Sequence, residues 1–560
     1  MNAALPVEEA RRALIDRHAD LIAAAVEAVS SRAAWSPFQD SPSTRIHGPD
    51  KPVAGKAAFE AQLGRPFALD LPGVIDHVGA EVSPFTGEAL GITYPRCDPE
   101  ALIGAARTAW PDWRAAHPEL RLALCAEMAV RLYEANFEMA QAVMHVAGQS
   151  YTQAFSGSGP NALDRGIEAL AYAAKAMGDV PPSARYERSF AGEAVSLDKT
   201  YVRVPRGISL AVCCASFPTW NAYPALFASL ATGNPVVLKP HPIAILPMAV
   251  VARECRRVLA DFGFDPNLIT LAVDTLAEPV AQTLVDHPAV QIVDFTGSPR
   301  YGGHLERTVT GKLLFTETAG VNTVVVQSAP DMDAAARAVA RAASLFSAQM
   351  CTSPQVVYVA PDLADAFADA LVAQIDAIAD DPAMAAGIMG AIQGEVSLKA
   401  VSDVRTAVAG RSDVRVLREA APYAHPQFPK ARTLTPLVLG VDGSAPDLYA
   451  EEHFGPVLFV VAMEADAAVA EATHLARTKG SISSYLYSTD EDFIDRSTPL
   501  YEQAGANLTI NLTGAMWINF AAAYSDYHVS GLNPAGNACL ADLAFVASRF
   551  RIVQRRRPAA

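Results

Sequence analysis

Of the seven cysteines in this 560-residue chain, Cys351 has the setting of a nucleophile. It closes the stretch Gln349-Met350-Cys351, after a segment of helical periodicity (333–347) and just before a β-rich run (355–359). The thiolate is the reactive form, and a free thiol with pKa ~8.5 is only a few per cent ionised at neutral pH, so its surroundings must lower that pKa or supply a base. Glu317, in the stretch Phe-Thr-Glu-Thr-Ala-Gly, stands 34 residues earlier. A carboxylate held among apolar neighbours can take a proton from water, the step that hydrolyses a thioester. From residue type alone the plainer readings stay open: a buried structural thiol and a surface glutamate. No CxxC or Cys/His spacing typical of a metal site occurs, and the cysteines are too few for a disulfide framework.

Other stretches accompany this pair in a fixed order: SPFTGE (83–88), GNPVVLKP (233–240), FTGS (295–298) and EHFGP (452–456). Together they resemble the aldehyde dehydrogenase superfamily from about Ser83 to the end, and the separation of Glu317 from Cys351 agrees with that family's spacing. The resemblance implies oxidation of an aldehyde to a free acid with NAD(P), with Cys351 as nucleophile and Glu317 as the base that activates water. It implies that Lys239 contacts the adenosine ribose, that Phe295, Gly297, Ser298 and Gly302 lie beside the pyrophosphate, and that Glu452 and Phe454 attend the nicotinamide ribose and ring. Two positions depart from the pattern. Pro242 stands where NAD-using members carry a glutamate on the ribose 2′-hydroxyl, which favours NADP over NAD, with Lys239 and His241 to hold the extra phosphate. Ser216 stands where the family has its oxyanion asparagine, and Asn221 is the candidate substitute donor.

The closing segment 521–538, the Ser216-Phe217-Pro218 stretch and the long N-terminal extension resemble the PaaN-type branch associated with bacterial phenylacetic acid degradation. That resemblance implies a ring-opened semialdehyde carried as a coenzyme A thioester, and a separate hydratase partner. A general oxidiser of aliphatic or aromatic aldehydes is the alternative within the class. A non-catalytic scaffold or binding relative in a pathway complex is the alternative outside it.

Positioning these residues requires an α/β fold. Short apolar runs at 208–214, 236–238, 269–273 and 291–295 alternate with helical stretches, and a second alternation covers 323–359, so two parallel α/β sheets are expected. No G-x-G-x-x-G fingerprint is present. The expected architecture is aldehyde dehydrogenase-like: a Rossmann-type cofactor domain (81–184 and 206–315), an α/β catalytic domain (316–525) and a small β oligomerisation element (185–205 and 526–560). An extension (1–80) precedes them, with a helix at 8–29 and a loop at 36–55. Pro111 and Pro118 read as helix breaks, 185–204 as a hairpin, 544–553 as a strand for pairing within a homodimer or tetramer, and 555–560 as a frayed tail. With 51% hydrophobic and 19% charged residues the chain should be ordered, and its net charge of −16 repels nucleic acid and anionic membranes. No apolar run reaches ~18 residues and the first dozen lack a signal core, so a cytoplasmic location is expected.

Overall fold

The computed structural model describes residues 7–318, 320–443, 445–528 and 542–559. A long helix, Val7–Ser31, opens the chain and packs on the helices Pro118–Glu134 and Pro160–Gly178. The stretch expected to be a loop at 36–55 instead contains the helix Thr44–His47, capped by Ser43, and most of the helix Asp50–Glu60. Pro52 does not prevent the latter, because its missing N–H falls in the first turn, where no intrahelical partner exists. Strands β1 (Val74–Val78) and β2 (Tyr94–Cys97) pair antiparallel. Pro118 begins a helix, as expected of a break, but Pro111 lies inside the helix Pro99–Ala115, whose buried face of Leu102, Ile103, Ala106 and Trp113 carries it through.

Strands β3 (Ser183–Phe190) and β4 (Glu193–Pro205) form the expected hairpin. Ala191 and Gly192 turn it, with φ of 49° and 88°, the left-handed pair that matches strand twist in a two-residue turn. Next come β5 (Ile208–Val212), β6 (Val236–Lys239), β7 (Ile269–Leu271), β8 (Val290–Gly297) and β9 (Leu313–Thr318), a parallel sheet ordered β7-β6-β5-β8-β9. Its strands are apolar because helices cover both faces. The order reverses between β5 and β8, and at such a switch point the carboxyl ends of the strands leave a crevice for a ligand.

A seven-stranded sheet follows from β10 (Asn322–Val326), β11 (Pro354–Val359), β12 (Val414–Arg418), β13 (Leu437–Asp442), β14 (Val457–Ala462), β15 (Ser484–Tyr487) and β16 (Leu508–Ile510). Its order is β12-β13-β14-β11-β10-β15-β16, with only the edge strand β12 antiparallel to its neighbour. Within the described residues no helix is long and apolar enough to cross a membrane.

The chain's end departs from expectation. Residues 544–553 are not one strand: the helix Leu543–Ala547, capped by Asp542, precedes β17 (Phe550–Pro558). Nor is the basic tail frayed as far as Pro558, since β17 pairs with β4 from Phe550↔Pro205 to Pro558↔Leu197 and its backbone groups gain a ladder that solvent would otherwise satisfy. Arg549 pins this end to the first sheet. Its fully buried guanidinium makes two hydrogen bonds to Asp294 of β8, at 2.9 and 2.5 Å, and a third to Ser229 at 2.7 Å. The rings of Phe315 and Phe545 lie 5.1 and 4.1 Å from it. Removing one partner strands a buried charge, so Arg549→Ala should cost about 3–5 kcal/mol, read as a lower urea midpoint for the first unfolding transition.

Candidate active site

Glu317 is placed by β9, where the last strand of the first sheet ends. Cys351 is placed by the turn into β11 of the second sheet. That turn is unusual. The helix expected to reach Ser347 stops at Ser344, and Phe346, Ser347 and Ala348 follow with φ of 51°, 49° and 52°. Each L-residue in the left-handed region costs of order 1–3 kcal/mol unless its surroundings dictate the conformation. Here they do. Ser347 Oγ donates to the carbonyls of Met389 and Leu434, Gln349 Nε2 to those of Phe346 and Ala391, and Asn322 Nδ2 to those of Cys351 and Ser353.

Cys351 Sγ lies 3.6 Å from Nε2 of His528, and the same nitrogen lies 3.1 Å from Oε1 of Glu317. Asn221 Nδ2 donates to that carboxylate oxygen at 3.2 Å. Glu317, His528 and Asn221 are buried, and Cys351 is half-buried. Burial pushes the Cys351 thiol well above its ordinary range, and the nearby charges of Glu317 and Glu452 push it further. Burial also pushes Cys214 up to about 11.

Ser216 and Asn221, the two oxyanion candidates, part company. The carbonyl of Ser216 accepts from Gln149 at 2.8 Å, whereas Asn221 reaches Glu317. His528 has no counterpart in the sequence reading. It lies 177 residues beyond Cys351, so no local spacing announces it. The surrounding segment 521–538 was legible only as a family signature, and its 529–538 portion lies outside the described residues. Three contacts hold the approach to His528: Tyr524 N–H donates to Glu168, Arg165 to the Asp526 carbonyl, and Asn507 to the Tyr527 carbonyl.

The expected cofactor residues line the carboxyl ends of the first sheet. Glycine is required at two of them: a Cβ on Gly297 would fall 2.7 Å from the Phe295 ring, and one on Gly302 would fall 2.4 Å from Thr318. Ser298 caps the helix Pro299–Thr308, accepting from Tyr301 N–H, so this helix presents its N-terminus beside β8. A cavity of about 240 Å³ lies past β6 and β7, lined by Gly79, Ala80, Pro242, Ile243, Asp274 and Thr275 among others. Across the site, Glu452 and Phe454 are half-buried, and Gln355 exchanges hydrogen bonds with the backbone of His453 between them. Buried atoms with no partner among the described residues remain at the reacting centre, namely Glu317 Oε2, Asn221 Oδ1 and His528 Nδ1. A crevice with a helix N-terminus, an apolar recess and a carboxylate on its far side fits a nicotinamide dinucleotide.

One expectation needs correction. Lys239 is buried, and its Nζ donates to Asp274 at 2.7 Å and to the Pro240 carbonyl at 2.7 Å. Asp274 in turn accepts from Val280 N–H at 2.9 Å. Burial and the Lys239 charge depress His241 to about 4, so it is neutral at pH 7. Lys239 is thus no free cation for a 2′-phosphate, and the electrostatic case for NADP falls away.

Two mainly parallel sheets that meet at a half-buried cysteine and a buried glutamate, beside a crevice at a switch point, define an α/β oxidoreductase. The chain belongs to the aldehyde dehydrogenase family, whose model matches residues 77–520. It is 28% identical over 421 residues to a vanillin dehydrogenase from Pseudomonas fluorescens, covering 73% of this chain and 81% of that protein. Among solved structures, an NAD-dependent aldehyde dehydrogenase from Burkholderia multivorans superposes with a TM-score of 0.94 at 41% identity, over 98% of this chain and 99% of that one. An NADP-dependent glyceraldehyde-3-phosphate dehydrogenase from Bacillus halodurans, complexed with NADP, shares the fold with a TM-score of 0.69 at 20% identity, over 87% of this chain and 96% of that one.

Burial pushes Glu452 up from its ordinary value of 4.5 to about 8. Between those values the unfolded chain binds fewer protons than the folded one, so stability falls as pH rises. A Glu452→Gln variant escapes this loss. Its melting temperature should match that of the native chain near pH 4.5 and exceed it by a margin that grows up to pH 8.

Proposed function

We propose that the protein oxidises an aldehyde to a carboxylic acid with a nicotinamide dinucleotide, through a thiohemiacetal and then a thioester on Cys351. The observation that carries this reading is the approach of Cys351, Glu317 and His528, whose functional atoms all lie within 4.8 Å of one another. A bound nicotinamide supplies the hydride acceptor. Cys351 adds to the carbonyl carbon, and Glu317, held by Asn221, takes a proton from the water that attacks the thioester. Lys239, Phe295, Gly297, Ser298 and Gly302 would hold the adenosine and pyrophosphate side, and Glu452 and Phe454 the nicotinamide side.

For the substrate we favour a ring-opened semialdehyde carried on coenzyme A in phenylacetic acid degradation. Support comes from the branch-like segment 521–538, whose described part brings His528 to the nucleophile. Likeness to a vanillin dehydrogenase supports the broader alternative, a general aromatic or aliphatic aldehyde oxidiser. Initial rates with coenzyme A-linked semialdehydes and with simple aldehydes separate the two. The exposed strand β17, at the edge of its sheet, is the proposed pairing face of a homodimer or tetramer.

Glu317→Gln should lower turnover roughly 10²–10⁴-fold while an acyl adduct accumulates on Cys351, visible as added mass in the intact protein. Cys351→Ala should lose turnover and form no adduct. If its loss left the pathway's flux unchanged, the chain would instead be a scaffold. Pro242 offers a 2′-hydroxyl no carboxylate, and Asp274 already pairs the one buried lysine there, so neither cofactor gains a decisive contact. Values of kcat/KM for NAD and NADP should lie within about tenfold of each other, that is within ~1.4 kcal/mol; a preference above about a hundredfold would contradict this.

A further inference from the structure

Cys351 faces a difficulty that its expected partner does not solve. Burial and the Glu317 carboxylate oppose its ionisation, and Glu452 adds to this where it is ionised. Glu317 Oε1 accepts from Asn221 and lies 3.1 Å from Nε2 of His528, and this carboxylate is the base for the later attack of water. In the tautomer that carries its hydrogen on Nδ1, Nε2 of His528 offers a lone pair to the thiol proton, 3.6 Å from the sulfur and within hydrogen-bond reach for an S–H donor.

We propose that His528 is the acid–base catalyst for Cys351, accepting the thiol proton when sulfur adds to the aldehyde and returning it when the thioester breaks. This rests on the reading of Cys351 as the nucleophile. In the first half the S–H bond breaks, the S–C bond forms, the carbonyl π electrons move to oxygen, and the proton passes to Nε2. The resulting imidazolium is held by the Glu317 carboxylate 3.1 Å from the same nitrogen. Between the halves the alkoxide loses hydride, for which a bound nicotinamide would be the acceptor, leaving the thioester; in the second half water oxygen bonds to the acyl carbon and its proton goes to Glu317. The C–S bond then breaks, and the departing sulfur takes back the proton from Nε2. The histidine ends as it began, so one proton leaves through Glu317 and a second when the product acid ionises.

The surroundings suit this exchange. Among the described residues the ionisable groups in contact with Nε2 are Cys351, from the turn before β11, and Glu317, from β9, while Cys214 and Glu452 lie close enough to act on the sulfur. The segment leading into the helix Ala222–Ala231 contributes the uncharged Asn221 and Trp220, the latter ring 6.5 Å from the imidazole. Arg165, from the helix Pro160–Gly178, lies on Trp220, 5.4 Å from that ring. The backbone contacts at Tyr524, Asp526 and Tyr527 anchor the segment that leads to His528 independently of the sulfur.

The test is the alkylation of Cys351 by iodoacetamide in the cofactor-free protein, followed against pH, alongside aldehyde turnover. The native rate should be nearly level around neutral pH. In His528→Gln it should fall at least roughly tenfold at pH 7 and climb about tenfold per pH unit up to pH 9, as expected of a lone buried thiol. Turnover should drop about 10²-fold with KM changed by less than about threefold. Added imidazole should restore alkylation to His528→Ala. A folded His528→Gln, with the native near-ultraviolet circular dichroism, that alkylates at the native rate and with the native pH profile would overturn the proposal and leave aldehyde oxidation intact. So would a native profile that already climbs tenfold per unit through pH 9, a result that needs no variant. Should the native chain oxidise no aldehyde while alkylation still depends on His528, the proposed function fails and the thiol–imidazole pair stands.

Discussion

Three consecutive L-residues held in the left-handed region, Phe346 to Ala348, decide where the sulfur of Cys351 sits. A helix continuing to Ser347, as the apolar periodicity suggests, would carry the chain past the end of β9 and away from Glu317. The reversal is sustained because Ser347 and Gln349 donate to carbonyls of the segments around Met389 and Leu434, and because Asn322 ties the carbonyls of Cys351 and Ser353 back to β10. Gln349 therefore serves the nucleophile through the backbone.

The centre built around that turn is costly. A thiol, a carboxylate and an imidazole share a volume in which little water can screen them, and each buried atom left without a partner is expensive unless a reacting group meets it. Glu317 Oε2, Asn221 Oδ1 and His528 Nδ1 are such atoms. Concentrating them where a substrate carbonyl and a water molecule would be handled is a departure from stable packing that serves chemistry. The stabilisation lies elsewhere, in the apolar sheets and in buried pairs such as Arg549 with Asp294.

At the cofactor edge the same economy of charge operates. Lys239 ends an apolar strand with its ammonium buried, and Asp274 meets it before any ligand does. Asp274 also accepts from the backbone of Val280, so the pair fixes the loop beyond β7 that walls the apolar recess. Its first role is to shape the crevice.

Much of this was readable in the residues themselves. The hairpin, the two parallel sheets and the pairing of Cys351 with Glu317 follow from periodicity, turn chemistry and motif order, because those are local or depend on a short, fixed separation. The helices within 36–55 and the continuation of the tail strand through the basic residues to Pro558 were not, since a Pro/Ser-rich stretch and a basic terminus resemble loops until packing or a partner strand claims their backbone groups. Lys239 read as a free cation because its neutralising partner, Asp274, stands 35 residues away. His528 was invisible as a functional residue for the same reason on a larger scale. The motifs that resemble the aldehyde dehydrogenases implied the class of chemistry, while which nitrogen meets the sulfur was decided only when segments distant along the chain were folded against one another, since hydrogen bonds and charge interactions depend on distance in space.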